Sequence, residues 1–204
     1  MPDVEQAPDG PFRVFRAGAA GRETEFLEAG VGDPLLVLGG SGGPALSQLA
    51  ATRRVIALDL AAGTSERERA AAIGAVAGSL ELGPCDVLAA GEEAAAALWL
   101  AADAPDLVRA IVLESPPDPG PELAAALAGI FAPALLLCGT RDDAGPAGPG
   151  VTCQQLLPNA FLSYVYDAGH DIRADRPDAF AALVSDFLTR QGRFLARDGA
   201  AGAP

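Results

Sequence analysis

The 204-residue chain is 50% hydrophobic and 5% aromatic, and its 14 basic and 27 acidic side chains give a formal net charge of -13. That is enough chain for one domain with a sizeable core and too little for two, and an apolar fraction this high excludes a disordered chain. Every basic residue is Arg, and so acidic a balance excludes nucleic acid and anionic membrane surfaces as partners, because phosphate recognition needs a basic face.

The three cysteines, Cys85, Cys138 and Cys153, form no C-x-x-C pair, and His170 is the one histidine, so neither a zinc site nor a disulfide framework is expected. The opening MPDVEQAPDG is acidic and Pro-containing where a signal peptide would be basic and then apolar. The longest apolar stretch, Ala94 to Ala102, falls far short of the ~20 residues that span a bilayer. These features predict a cytoplasmic protein without metal or other cofactor.

Short apolar runs recur between turn signals: TEFLEAG from Thr24, LLVLGG from Leu35, RVIALDL from Arg54, DVLAAG from Asp86, RAIVLES from Arg109, ALLLCGT from Ala134 and LSYVYDAG from Leu162. Most are continuous rather than alternating, which suits strands covered on both faces. Ala-rich segments from Glu66, Glu92 and Pro121 between them are long enough for helices. The alternation predicts an α/β fold, a doubly wound and mostly parallel sheet with helices on both faces. The last helix is the clearest, with Pro177 in its first turn and a buried stripe of Phe180, Leu183, Val184, Phe187 and Leu188. The chain reads as one domain over 1–204, with a core from about 12 to 190 and mobile tails at 1–10 and 197–204.

In such a sheet ligands bind at the carboxyl ends of the strands. After the run from Leu35 comes Gly39-Gly40-Ser41-Gly42-Gly43-Pro44, which satisfies a G-x-S-x-G nucleophile turn, a G-x-G-x-x-A dinucleotide loop through Gly40, Gly42 and Ala45, and a plain Gly-rich turn into a helix. Asp59, at the end of the next strand, stands where a ribose-binding acid would. His170 follows the last strand end and faces the acidic turn GTRDD, which holds Asp142 and Asp143 after an earlier strand. A carboxylate and an imidazole meeting at one sheet edge form an acid/base pair, the acid fixing the tautomer.

From about Phe12 to Arg190 the sequence resembles the α/β-hydrolase superfamily. Two leading strands precede LLVLGGSGG, then RRVIALDLAAG, DVLAAGEEAAAALWLAADAPDLVRAIVLESP, ALLLCGTRDD and DAGHDIRADRPDAFAALVSDFL follow in the family's order. The resemblance implies Asp142 as the acid, His170 as the base and the loop at Gly40 or Ser41 as backbone donors to an oxyanion. The departure is at the nucleophile, where the family has a small-x-nucleophile-x-small turn and this chain has Ala89-Ala90-Gly91-Glu92-Glu93-Ala94. Aligning on the strand puts Glu92 at that position and is the favoured register; counting back from the helix end puts Gly91 there. Ser41 follows the wrong strand to replace it. Between LESP at 113–116 and the strand at about 134 there is no room for the helical cap of many relatives, so the site is open or covered by another subunit of a homo-oligomer.

Three functional readings follow. One is a small-molecule hydrolase-family enzyme that works through Asp142 and His170 without a catalytic Ser, with Glu92 as a carboxylate nucleophile in a variant of it. The alternative is a non-catalytic relative that binds a ligand or partner, in which Glu92 and Glu93 merely favour a helix N-terminus. The third is a nucleotide-binding protein using the Gly40 loop.

Overall fold

A computed structural model describes residues 5–6, 11–19, 22–40, 42–59, 65–145 and 148–190. Among them the strands are β1 (Glu5–Gln6), β2 (Arg13–Ala19), β3 (Arg22–Ala29), β4 (Pro34–Leu38), β5 (Arg54–Leu58), β6 (Cys85–Ala90), β7 (Val108–Glu114), β8 (Ala134–Gly139) and β9 (Ala160–Val165). The helices are α1 (Pro44–Leu49), α2 (Glu66–Ser79), α3 (Glu93–Asp103), α4 (Pro121–Leu127), α5 (Pro149–Leu156), α6 (Ile172–Asp175) and α7 (Pro177–Arg190). The strands form one sheet in the order β1-β2-β3-β5-β4-β6-β7-β8-β9. β1, β2 and β3 pair antiparallel, β3 is antiparallel to β5, and every pairing from β5 to β9 is parallel.

The continuous apolar runs have a direct cause. Along β4, Leu36 and Leu38 enter a core shared with α2, α3, α4 and α5, while Leu35 and Val37 enter a second core shared with α1, α6 and α7. Each successive side chain therefore needs to be apolar, because both faces are covered. The α7 stripe buries Phe180, Val184, Phe187 and Leu188 as its period requires, with Leu183 half-buried at its margin. Ser65 and Glu68 close a capping box at the start of α2.

Glu5 and Gln6, placed in a mobile tail by composition, pair with Val14 and Arg13 as β1, because the free edge of β2 offers unpaired backbone groups that any short segment can satisfy. The expected tail at 197–204 lies outside the described residues. The helices α1 and α5 sit where the sequence is rich in Gly and Pro. Pro44 and Pro149 open them at the first turn, where a missing N–H costs nothing. Among the described residues no helix is long and apolar enough to cross a membrane.

Gly139 at the end of β8 lets the backbone of Ala168 and Gly169 pass directly over it, and a Cβ there would run into both carbonyls. The N–H of Arg141 donates to the carbonyl of Ala168 at 2.8 Å, so the segment carrying His170 rests on the end of β8. Gly139→Ala should therefore cost at least about 2 kcal/mol, since backbone rather than a flexible side chain has to move. Urea unfolding checks this, and an unchanged midpoint would show that the segment is not anchored there.

Candidate active site

The carboxyl ends of β4, β6, β7, β8 and β9 bring Gly39, Gly91, Ser115, Asp142 and His170 to one edge of the sheet. His170 Nδ1 lies 3.1 Å from Asp142 Oδ2. With the ring proton on Nδ1 the imidazole donates to the carboxylate, leaving Nε2 as an acceptor. Asp142 Oδ1 accepts the Ala144 N–H at 3.1 Å, and the Ser115 hydroxyl donates to the His170 carbonyl at 2.8 Å. The pair is asymmetric: the His170 side chain is 68% exposed and the Asp142 side chain 12%. The carboxylate is shielded while the imidazole opens to solvent.

Burial pushes the Asp142 carboxyl up, but the Ala144 N–H, the imidazole and the nearby Ser115 hydroxyl together hold it below the usual carboxylate range. Because its folded pKa is depressed, its contribution to stability is present above the unfolded pKa and is lost as pH falls through the folded one.

Gly91 follows β6 immediately, with φ +53, and its N–H donates to the Glu114 carbonyl at 2.9 Å. A Cβ at Gly91 would stand 3.7 Å from His170 Nε2. Of the two registers that the sequence offers, Gly91 therefore faces the imidazole, and Glu92, the one favoured from the sequence, lines the cleft beside it. Turning from β6 into α3 takes one residue in the left-handed region, which Gly supplies without a steric penalty, and that residue comes one position earlier than the strand alignment assumes. Glu92 is exposed, stands at the N-cap of α3 with φ -63 and ψ -24, and makes no side-chain cap bond.

The same shift puts Glu93 where a small residue is expected. It fits because it packs on Gly39, where a Cβ would meet Glu93 Cγ at 3.2 Å. Its carboxylate lies 3.6 Å from Arg69 Nε, and burial pushes its pKa up.

Gly40 has φ +118, and the side a Cβ would occupy is filled by the Arg173 guanidinium, 3.2 Å away. This glycine thus admits an Arg of the same chain to the loop. Arg173 Nη2 donates to the Gly39 carbonyl at 2.6 Å, and Arg173 Nε lies 2.5 Å from Glu114 Oε2. The Arg173 N–H also donates to Glu114 Oε1 at 2.9 Å. Burial pushes Glu114 up in pKa, and Arg173 opposes that shift. This ion pair was not legible as part of the site, although a carboxylate ending the otherwise apolar run RAIVLE is a signal of it. Ser41 lies outside the described residues, and Asp143 and Asp59 are exposed at the ends of their strands.

Gly91, Glu92, Ser115, Asp142 and His170 line a cleft of ≈ 270 Å³ whose remaining wall comes from Pro116, Pro117, Cys138, Tyr164 and the segments 144–145 and 148–151. Burial pushes the Cys138 thiol up to about 11, so it stands as a neutral wall residue. Among the described residues no group of three or more His, Cys, Asp or Glu side chains could hold a metal ion.

No protein-family model matches the sequence, and no curated protein is significantly similar to it. Solved structures are similar in fold. A hydrolase described as CIB-like from Thermoplasma acidophilum is 16% identical, over 87% of this chain and 97% of that one, with a TM-score of 0.74. CarC, a serine hydrolase involved in carbazole degradation, is 17% identical over 88% of this chain and 100% of that one, with a TM-score of 0.79. The carboxylesterase CesB of Bacillus subtilis is 16% identical over 87% and 91%, with a TM-score of 0.71.

Proposed function

Proceeding from the α/β-hydrolase fold, which this chain has, we propose that it is a small-molecule hydrolase-type enzyme that uses Asp142 and His170 without a serine nucleophile. The observation that carries this reading is the imidazole itself, held at Nδ1 by Asp142 while Nε2 faces the space above Gly91. A water or an acidic hydrogen of the substrate held in that space would give its proton to Nε2. Asp142 would then stabilise the imidazolium. For a carboxylic ester, the water oxygen bonds to the carbonyl carbon, the carbonyl electrons move to oxygen, and collapse expels the alcohol, which takes the proton back from His170.

The developing oxyanion needs donors, and Glu92, which lines the cleft at the start of α3, would offer its backbone N–H, one of the orphan donors of a helix N-terminus. The cleft, open on one side and without an inserted cap between β7 and β8, suits a small substrate rather than a long chain. Glu92 as a carboxylate nucleophile is the weaker variant, since it is Gly91 that faces His170.

His170→Ala should lower whatever turnover appears across a panel of small esters, lactones and epoxides by at least about a hundredfold, with the fold unchanged by circular dichroism. Undiminished turnover in this variant would sink the reading. One observation favours a non-catalytic relative: Gly91 brings no attacking atom, which removes covalent acyl transfer outright. Complete inactivity of the parent protein across the same panel would select that alternative.

A further inference from the structure

The electrostatics of the cleft say more about its ligand than the acid/base pair does. Among the described residues its charged lining consists of Glu92, Asp142 and, when protonated, His170, and includes no Arg. The segment Asp142–Gly150, DDAGPAGPG, brings no cation either. The arginines nearest in the chain are committed elsewhere. Arg141 pairs with Asp167, Arg173 with Glu114 and the Gly39 carbonyl, and Arg176 donates to the Tyr166 carbonyl at 2.7 Å.

The two consecutive glutamates at the start of α3 divide. Glu93 turns to Arg69 and Gly39, while Glu92 lines the cleft, exposed, and leaves the helix cap unmade. Asp142 is already occupied by His170 and Ala144, so among the described residues Glu92 is the acidic lining residue without such a commitment. Opposite charges attract across a cleft whose walls of Pro116, Pro117, Val151 and Tyr164 exclude part of the water, and an aromatic ring adds to the attraction for a cation.

We infer that the cleft selects a small organic cation, an apolar alkylammonium compound, with Glu92 as the residue that sets this preference against neutral and anionic analogues. The inference rests on the cleft being the ligand site, as the proposed function has it, but not on turnover there.

The test uses three esters of matched shape: a trimethylammonioethyl acetate, its uncharged tert-butyl isostere and a carboxylate isostere. Binding is measured by isothermal titration calorimetry on the full chain and on His170→Ala, which removes hydrolysis during the titration. The cationic ester should bind about tenfold or more tightly than the neutral one and the anionic ester weakest, with the cation's advantage shrinking as salt is raised. Glu92→Gln should remove the cation's advantage over the neutral ester, and Glu92→Lys should reverse the order.

Equal binding of the three, binding of none, or a cation preference that survives Glu92→Gln overturns the inference. Cation binding that depends on Glu92 without any turnover leaves the inference standing and removes the catalytic reading. Turnover of neutral esters with no cation preference does the reverse.

Discussion

Gly91→Ser should turn the protein into a serine esterase, raising turnover of an activated aryl acetate by at least about a hundredfold over the parent. The imidazole and its carboxylate partner are already placed for such a step. A Cβ at Gly91 would stand 3.7 Å from His170 Nε2, and an oxygen one bond further on reaches the ~2.6–3.2 Å at which imidazole takes a hydroxyl proton. Asp142 already holds the far side of the ring at 3.1 Å. The backbone at Gly91 has φ +53, the strained strand-to-helix turn on which a nucleophilic serine of this fold sits.

That strain has a cost. A residue with a Cβ in the left-handed region loses about 1–2 kcal/mol, or a few degrees of Tm in a chain of this size. The variant should show a burst of released phenol, the mark of an acyl-enzyme, and label with a fluorophosphonate; adding His170→Ala should remove both. A folded Gly91→Ser protein that neither bursts nor labels would mean that the space above Gly91 does not present a carbonyl to residue 91. Since the proposed reaction needs a water or a substrate hydrogen in that same space, such a result would also weigh against His170 as its base.

How far this site could be read from the chain depended on whether the information is local. β4 to β8 were legible because burial on both faces favours nearly continuous apolar runs, as Leu35 to Leu38 show for β4. Asp142 and His170 stood out because each follows an apolar run, and the sheet then brings strand ends together. At the elbow the two registers differ by a single residue. The choice between Gly91 and Glu92 depends on which one adopts a left-handed backbone, and residue identity near Gly91 suggested it only once the turn had to be closed. The accommodation of Glu93 was out of reach, because the room for it is provided by Gly39, just past the end of β4. The same is true of Glu114 and Arg173: both looked like ordinary charges, and their pairing spans 59 positions in sequence.

Arg173→Leu should be the most damaging single change near the site, at about 3–5 kcal/mol at neutral pH, because it leaves a carboxylate buried without its partner. The Glu114 side chain is only 2% exposed and Arg173 13%, so water cannot replace the guanidinium. At about 2–4 °C per kcal/mol the loss should appear as a Tm lower by roughly 10 °C. The pH dependence identifies the cause. Burial already pushes Glu114 up, and removing Arg173 takes away the charge that opposes this shift.

An acid whose folded pKa is raised keeps its full contribution below the unfolded pKa and loses it as pH rises through the folded one. The deficit of Arg173→Leu relative to the parent should therefore be small near the ordinary carboxylate range and grow toward neutrality. Adding Glu114→Gln removes the buried charge and should recover most of the stability, flattening that pH dependence. It should not recover the site, because Arg173 also holds the Gly39 carbonyl and fills the space beside Gly40. With stability restored, the loop after β4 and the segment carrying His170 lose their common anchor, so ligand affinity in the cleft should stay low in the double variant. A double variant as stable as the parent that binds ligand equally well would assign the pair to stability alone.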